Sequence, residues 1–253
     1  MSIMIKTDEE IVLMRKAGKI VAGAHELVES MVKPGISTYD LDKAARDYIL
    51  SHDAIPSFKD YGGFPANICA SVNEEVVHGI PSKKRLLKEG DIVSIDIGAL
   101  YKGYHGDAAR THGVGEISDD ARKLIEVTKQ SFFEGIKFAL EGNHLHEISS
   151  AIQTYVEAHG YSVVRDLVGH GIGRKLHEEP QIPNFKVMGR GPKLRSGMAL
   201  AIEPMINMGR SEVRWLSDNW TVVTIDGALS AHYENTILIT DDGYELLTVL
   251  GQG

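Results

Sequence analysis

Four segments of this chain alternate in the manner of β-strands, and each carries a carboxylate among apolar neighbours. No other feature restricts the fold as much. Over residues 91–97, alternation puts Val93, Ile95 and Ile97 on one face and Ser94 and Asp96 on the other. Over residues 104–111, His105, Asp107, Ala109 and Thr111 share a face. Over residues 198–203, Met198, Leu200 and Ile202 oppose Ala199, Ala201 and Glu203, and the acid runs straight into Pro204. Over residues 232–240, Glu234 falls on the face of His232 and Thr236. For one such strand alone, a solvated face is the simpler reading. Acids are rarely fully buried unless they are paired or bound to metal. Glu203, with small residues on its own face, reads instead as an acid aimed into a confined space. Several acids converging there would repel one another, and hard oxygen donors suit divalent cations.

The rest of the pattern indicates how the strands are carried. Ile11, Met14, Ala17, Val21, Ala24 and Val28 recur at helical spacing, predicting a helix over 8–32 that Pro34-Gly35 ends. Ser37 or Thr38 can cap a second helix, with Leu41, Ala44, Ala45, Tyr48 and Ile49 inward. Another helical pair is predicted at 118–140 and 145–159, and strands near 66–72, 91–98, 104–113, 161–165, 198–206, 220–225 and 232–240. Gly35, Ala44, Tyr48, His52, Gly90, Ile95 and Asp96 are matched by Gly142, Ala151, Tyr155, His159, Gly197, Ile202 and Glu203, at a constant offset of 107 (142 − 35, 203 − 96). Chance can collect such identities, but the order is also shared: glycine, helix, gap, glycine, strand, acid. A duplicated helix–sheet unit would leave a cleft between two halves, with an acidic strand from each. No linker or low-complexity tract divides the chain, so residues 1–253 read as one domain.

Candidate nitrogen donors are few. The glycines around His170 would let the backbone turn sharply and leave the imidazole accessible. Of 11 histidines, only His78, His170 and His177 stand out. Cys69 is the single cysteine, so no intramolecular disulfide forms, which fits a reducing compartment. A net charge of −8 argues against broad binding to nucleic acid or anionic membrane. Residues 1–10 lack the apolar core of a signal peptide, and no apolar run suits a bilayer, so the expected location is the cytoplasm.

Residues 90–96 (GDIVSID), 104–107 (YHGD), 169–173 (GHGIG), 201–205 (AIEPM) and 231–236 (AHYENT) resemble the five ligand motifs of the methionine aminopeptidases. Residues 67–73 (NICASVN) leading to 77–81 (VHGIP) resemble that family's substrate-side motif. The six motifs stand in the family's order and span nearly the whole chain. The resemblance implies the α+β pita-bread fold, two pseudo-symmetric halves around a dinuclear metal centre. It implies that Asp96 serves one metal, that His170 and Glu203 serve the other, and that Asp107 and Glu234 span both. It further implies Glu203 as proton acceptor, His177 as stabiliser of the developing oxyanion, and His78 as a hydrogen-bonding partner of the substrate. Tyr61, Phe64, Cys69, Leu176 and Trp220 match positions lining the family's methionine pocket. The implied reaction is removal of the first methionine from nascent polypeptides by a two-metal-activated water, with a small residue next.

Subtype follows from length. His170 to Glu203 spans 33 positions (203 − 170), which leaves no room for the helical insertion of type II, so the chain resembles the bacterial type I form. The resemblance also suggests a monomer. Some positions depart from the commonest family pattern: His232 and Asn235 flank Glu234, Ala201 precedes Ile202, and Ala108 follows Asp107. None is an implied ligand, so activity is expected to persist, and these departures could tune metal affinity through the hydrogen bonds around the ligands. Manganese, iron, cobalt, nickel and zinc all suit four carboxylates and a histidine. Lys186, Arg190, Lys193 and Arg195 could meet a ribosome, although an ordinary solvated loop is the simpler reading. Three rival readings stand beside this one: a peptidase acting at proline, a metal-free creatinase-like enzyme and a catalytically silent binding protein. The first shares the five-ligand pattern, whereas the intact ligand positions argue against the other two.

Overall fold

The computed structural model describes residues 2–251. Its first half runs α1 (Asp8–Met31), α2 (Thr38–Ser51), β1 (Ile55–Pro56), β2 (Cys69–Val72), β3 (Glu75–Val77), β4 (Ile92–Tyr101) and β5 (Tyr104–Gly113). The second half runs α3 (Asp119–Ile136), α4 (Leu145–Ala158), β6 (Ser162–Val163), β7 (Gly169–Gly171), β8 (Glu178–Ile182), β9 (Ala199–Ile202) and β10 (Met205–Asn207). It closes with β11 (Val213–Trp215), β12 (Val222–Thr224), β13 (Ser230–His232), β14 (Asn235–Thr240) and β15 (Gly243–Leu246).

Capping explains where the helices begin. Thr7 and Glu10 form a reciprocal capping box on α1, and the side chains of Ser37 and Ser118 cap α2 and α3. The apolar stripe anticipated for α1 is buried throughout, while in α2 Leu41, Ala45 and Ile49 are buried and Ala44 and Tyr48 partly so. These helices cover the sheet of β1, β4 and β2, to which β5 adds by pairing with β4. α3 and α4 cover strands of the second half, including the five-stranded sheet β15-β14-β9-β7-β8. A third apolar cluster joins the halves, with Met14, Phe64 and Tyr104 from one and Ile172, Ala201 and Leu238 from the other. Among the described residues, no helix is long and apolar enough to cross a membrane.

The offset of 107 is structural. α2 and α4 start and stop at that spacing (145 − 38, 158 − 51). Gly35 and Gly142 both have left-handed φ, 90° and 91°. Their amides donate to the carbonyls of Leu87 and Leu194, which the same offset relates. At the end of each helix a histidine ring lies against a tyrosine one turn earlier, His52 against Tyr48 and His159 against Tyr155, both at 4.3 Å between ring centroids. Two copies of one helix–sheet unit therefore face each other.

Two of the expected strands are each interrupted. The segment expected at 198–206 breaks between β9 and β10, and the one at 232–240 between β13 and β14. β9 pairs with β14 in one sheet and β10 with β13 in another, so this two-stranded ribbon bends from sheet to sheet. Pro204, which has no amide hydrogen, sits at one bend. At the other, the Tyr233 amide donates to Pro204 O and the Glu234 amide to Ala109 O. Glu203 and Glu234 lie in the bends themselves, where the two-residue alternation lapses.

Backbone packs closely against α1 at Gly18. A Cβ there would stand 2.1 Å from the carbonyl oxygen of Leu247, a backbone atom that has little freedom to move. Gly18→Ala is expected to destabilise the chain by about 1–3 kcal/mol through overpacking, read as a lower urea midpoint with unchanged slope.

Candidate metal centre and substrate cavity

Each expected donor is delivered by backbone geometry. Asp96 lies in β4 opposite Cys69, and Asp107 lies in β5 opposite Gly98. His170 lies in β7, held between β8 and β9. Its flanking glycines do not make the sharp turn expected of them. They are extended, and they are glycine because neighbouring strands press on them: a Cβ on Gly169 would meet Ala201 O at 2.4 Å, and one on Gly171 would meet Glu179 O at 2.1 Å. His170 is accordingly buried rather than openly accessible. Its Nδ1 donates to Gly171 O at 2.9 Å, which leaves the Nε2 lone pair, on the side where the acids lie, free to bind a cation.

Those groups meet at one place. His170 Nε2 lies 3.6 Å from Glu203 Oε1 and 4.0 Å from Asp107 Oδ2. Donor atoms of Asp107, His170 and Glu234 all fall within 4.8 Å of one another. Asp96 and Glu203 border the same cavity. Buried Asp96 Oδ1, Asp107 Oδ1 and Glu234 Oε1 have no hydrogen-bond partner. Unpartnered buried carboxylate oxygens are costly, and a cation resolves both the desolvation and the mutual repulsion. Burial raises Asp96 to about 7 and Glu203 to about 8. Asp107 and Glu234 are raised well above the usual range by burial and then by the neighbouring acids. Burial keeps His170 neutral, with its pKa down at about 3, as a ligand must be. The donor set fits divalent metal.

The cavity above the acids has a volume of about 200 Å³. Tyr61, Phe64, Cys69, Leu176 and Trp220, the five expected pocket residues, all line it, together with Phe58, Val77, Leu167 and Met205, which the sequence did not single out. The Trp220 ring meets Phe64 edge-on at 5.1 Å. Cys69 is a wall residue: burial and the nearby acids raise its thiol well above the usual range, keeping it protonated and unreactive. His78 has a left-handed φ of 60°, because the next residue, Gly79, docks its amide on Ser71 Oγ and its carbonyl on the Ala70 amide. Burial lowers His78 to about 4. His177 is more open, and its Nδ1 lies 2.7 Å from the Tyr61 hydroxyl. With the proton on Nε2, Tyr61 donates to Nδ1 and Nε2–H remains a free donor.

Two neighbours carry more than the sequence suggested. His232 Nε2 lies 3.5 Å from Glu203 Oε2, and neither ring nitrogen has a hydrogen-bond partner. It sits within the acid cluster rather than merely flanking Glu234. Its place two residues before Glu234 was the available signal. Half-buried Arg110 donates to the carbonyls of Ala109, Glu234 and Thr248 and to Asn235 Oδ1, fixing the bend that presents Glu234. Nothing in the sequence marks Arg110, because its role depends on a contact 124 positions away.

A bent ribbon delivering buried acids and a neutral histidine to a cavity between duplicated halves defines a metallohydrolase-type centre. A family model described as metallopeptidase family M24 matches residues 12–241. A methionine aminopeptidase of Clostridium acetobutylicum is 60% identical over 247 residues, covering 98% of this chain and 99% of that protein. Methionine aminopeptidase 1 of Bacillus subtilis is 56% identical over 246 residues, covering 97% and 99%. The crystal structure of a methionine aminopeptidase from Thermotoga maritima superposes with a TM-score of 0.96 at 48% identity, covering 98% of this chain and all of that one. A prolidase from Pyrococcus furiosus gives 0.79 at 25%, and this chain covers 66% of it. The chain therefore belongs to metallopeptidase family M24, in its methionine aminopeptidase branch. Its fold is the α+β pita-bread fold of that family.

In the metal-free chain, Asp96 and Glu203 hold protons up to about 7 and 8 that the unfolded chain releases near 3.8 and 4.5. Folding thus takes up protons, and raising the pH through that range removes stability. The buried histidines act in the opposite sense only below their ordinary value of 6.5. From pH 6.5 to about 8 the urea-unfolding free energy of metal-free protein is expected to fall by more than about 1 kcal/mol per pH unit, because Asp107 and Glu234 add to the effect in the same sense. Saturating divalent metal should abolish the fall; an equally steep fall with and without metal would count against the assignment.

Proposed function

We propose that the cavity removes the N-terminal methionine of nascent polypeptides that carry a small second residue, using two divalent metal ions. The observation that carries this reading is the buried set of acids and neutral histidine at the floor of an apolar-walled cavity, in a chain 60% identical to a methionine aminopeptidase. Asp96 would hold one ion, His170 and Glu203 the other, and Asp107 and Glu234 both. When bound, the metals would supply Lewis acidity, polarising a carbonyl and lowering the pKa of water so that it can lose a proton and act as nucleophile near neutral pH.

The chain's own residues do the rest. Phe64, Cys69 and Trp220 surround the methionine side chain, with Tyr61 and Leu176 at its margins. Their apolar surface rewards an unbranched thioether and rejects charge. His78 hydrogen-bonds the peptide group that follows the methionine. Glu203 takes the proton of the attacking water and passes it to the leaving amine. His177, oriented by Tyr61, donates Nε2–H to the oxygen that gains charge at the attacked carbonyl. The chain acts as one metallopeptidase unit over residues 1–253, a cytoplasmic monomer, with the exposed basic loop around Lys193 as the face for transient ribosome contact. Met1, Gln252 and Gly253 lie outside the described residues.

Anaerobic assays with manganese, iron, cobalt, nickel and zinc, on Met-Ala-Ser and on Xaa-Pro peptides, test the reading. Met-Ala-Ser should be cleaved and Xaa-Pro peptides should not; the reverse would replace this function with a proline peptidase. Asp107→Ala is expected to lose both bound metal and turnover. His177→Ala should keep its metal and lower kcat by about 10²–10³-fold, a loss typical of one missing oxyanion donor.

A further inference from the structure

Beside the catalytic cavity runs a larger groove of about 780 Å³, walled by residues 2–6 on one side and by residues of the 168–181 segment on the other. We propose that this groove binds the substrate polypeptide downstream of the scissile bond, an inference that rests on the aminopeptidase reading above. Val168, His170 and His177 line both spaces, whereas Tyr61, Phe64, Cys69 and Trp220 line only the catalytic cavity. A polypeptide with its methionine at the apolar end therefore passes His177 and enters the groove.

The groove is built in advance of its occupant. Lys6 Nζ pairs with Glu178 at 2.7 Å in a nearly buried contact, one residue beyond His177. The Lys6 amide donates to Gly197 O at 2.8 Å, and Ile5 bridges to Met198. The N-terminal wall is thereby tied to the strand system that carries His170 and His177. A preformed wall spares the ordering cost that a flexible one would incur on binding.

The lining suits many sequences. Met4 is 54% exposed and Ile5 45%, an apolar surface that water alone covers. Lys6 is neutralised by Glu178 and Arg174 by Glu10. Lys175 and Glu179, one of each sign, make no ion pair among the described residues, so the groove favours neither charge. β8 is an edge strand here, and Pro180 within it offers no amide. Contact is thus through side chains rather than by addition of a strand. Binding along this surface gives remote energy that an enzyme can use at the reacting bond.

The test uses the full metal-loaded chain and two probes: Met-Ala-Ser, too short to fill the groove, and the same tripeptide extended by five residues that include two leucines. The wild type should show kcat/KM about tenfold higher for the longer peptide. Met4→Glu, and separately Gln181→Trp on the β8 side, should erase that gain and leave Met-Ala-Ser turnover unchanged. Equal kcat/KM for both probes in the wild type, or a length gain that survives both substitutions, would overturn the proposal. Equal loss on both probes would do so as well, by marking a general structural effect. If no methionyl peptide is cleaved by the wild type, the aminopeptidase reading itself fails and takes the groove assignment with it.

Discussion

Like charges forced together beneath the surface are the constraint around which this molecule is organised. Asp107 and Glu234 are buried, Asp96 and Glu203 border the same space, and three of their oxygens have no partner. Repulsion and desolvation both oppose that arrangement, so the scaffold has to hold it while a cation compensates. The scaffold does so with strands rather than loops. Asp96 and Asp107 sit on a ten-residue antiparallel pair, and Glu203 and Glu234 sit in the paired bends of a second ribbon.

The two ribbons are tied directly to each other. The Asp107 amide and carbonyl both bond to Thr236 Oγ1, at 3.0 and 2.9 Å. Thr111 Oγ1 donates to His232 O and accepts from its amide, both at 2.9 Å. The Glu234 amide donates to Ala109 O, and Arg110 closes the same seam from the other direction. Every bond joins a residue within four positions of Asp107 to one within two of Glu234. The spacing of the two strands that carry these acids is thus set by backbone geometry.

Much of this was legible from residue order. The capping residues and apolar stripes of α1 and α2, and the expected ligands of one cavity, follow from local spacing and motif. β5 was anticipated to the residue, because ten alternating positions between turns leave little freedom. The bends were not legible: alternation through Glu203-Pro204 and Tyr233-Glu234 looks the same whether the ribbon stays in one sheet or crosses to another. β7 and β8 were missed for a related reason. Glycine around His170 and proline at 180 weaken any strand signal, while the crowding that demands those glycines comes from residues 201 and 179. Arg110 and the position of His232 depend on contacts between the halves, which no local pattern encodes.

The repeat also bears on how such a site can come to exist. Two identical units related by a twofold axis would present identical donors on either side, and a symmetric centre cannot tell the two ends of a substrate apart. Here position 96 is aspartate and position 203 glutamate, and His170, paired with Ala201, has Ser71, paired with Ser94, as its counterpart (201 − 94 = 107). Once both copies are on one chain, a substitution in one is no longer copied into the other. Covalent fusion therefore permits polarity: one end of the site can be an apolar-walled cavity while the other adjoins an open groove.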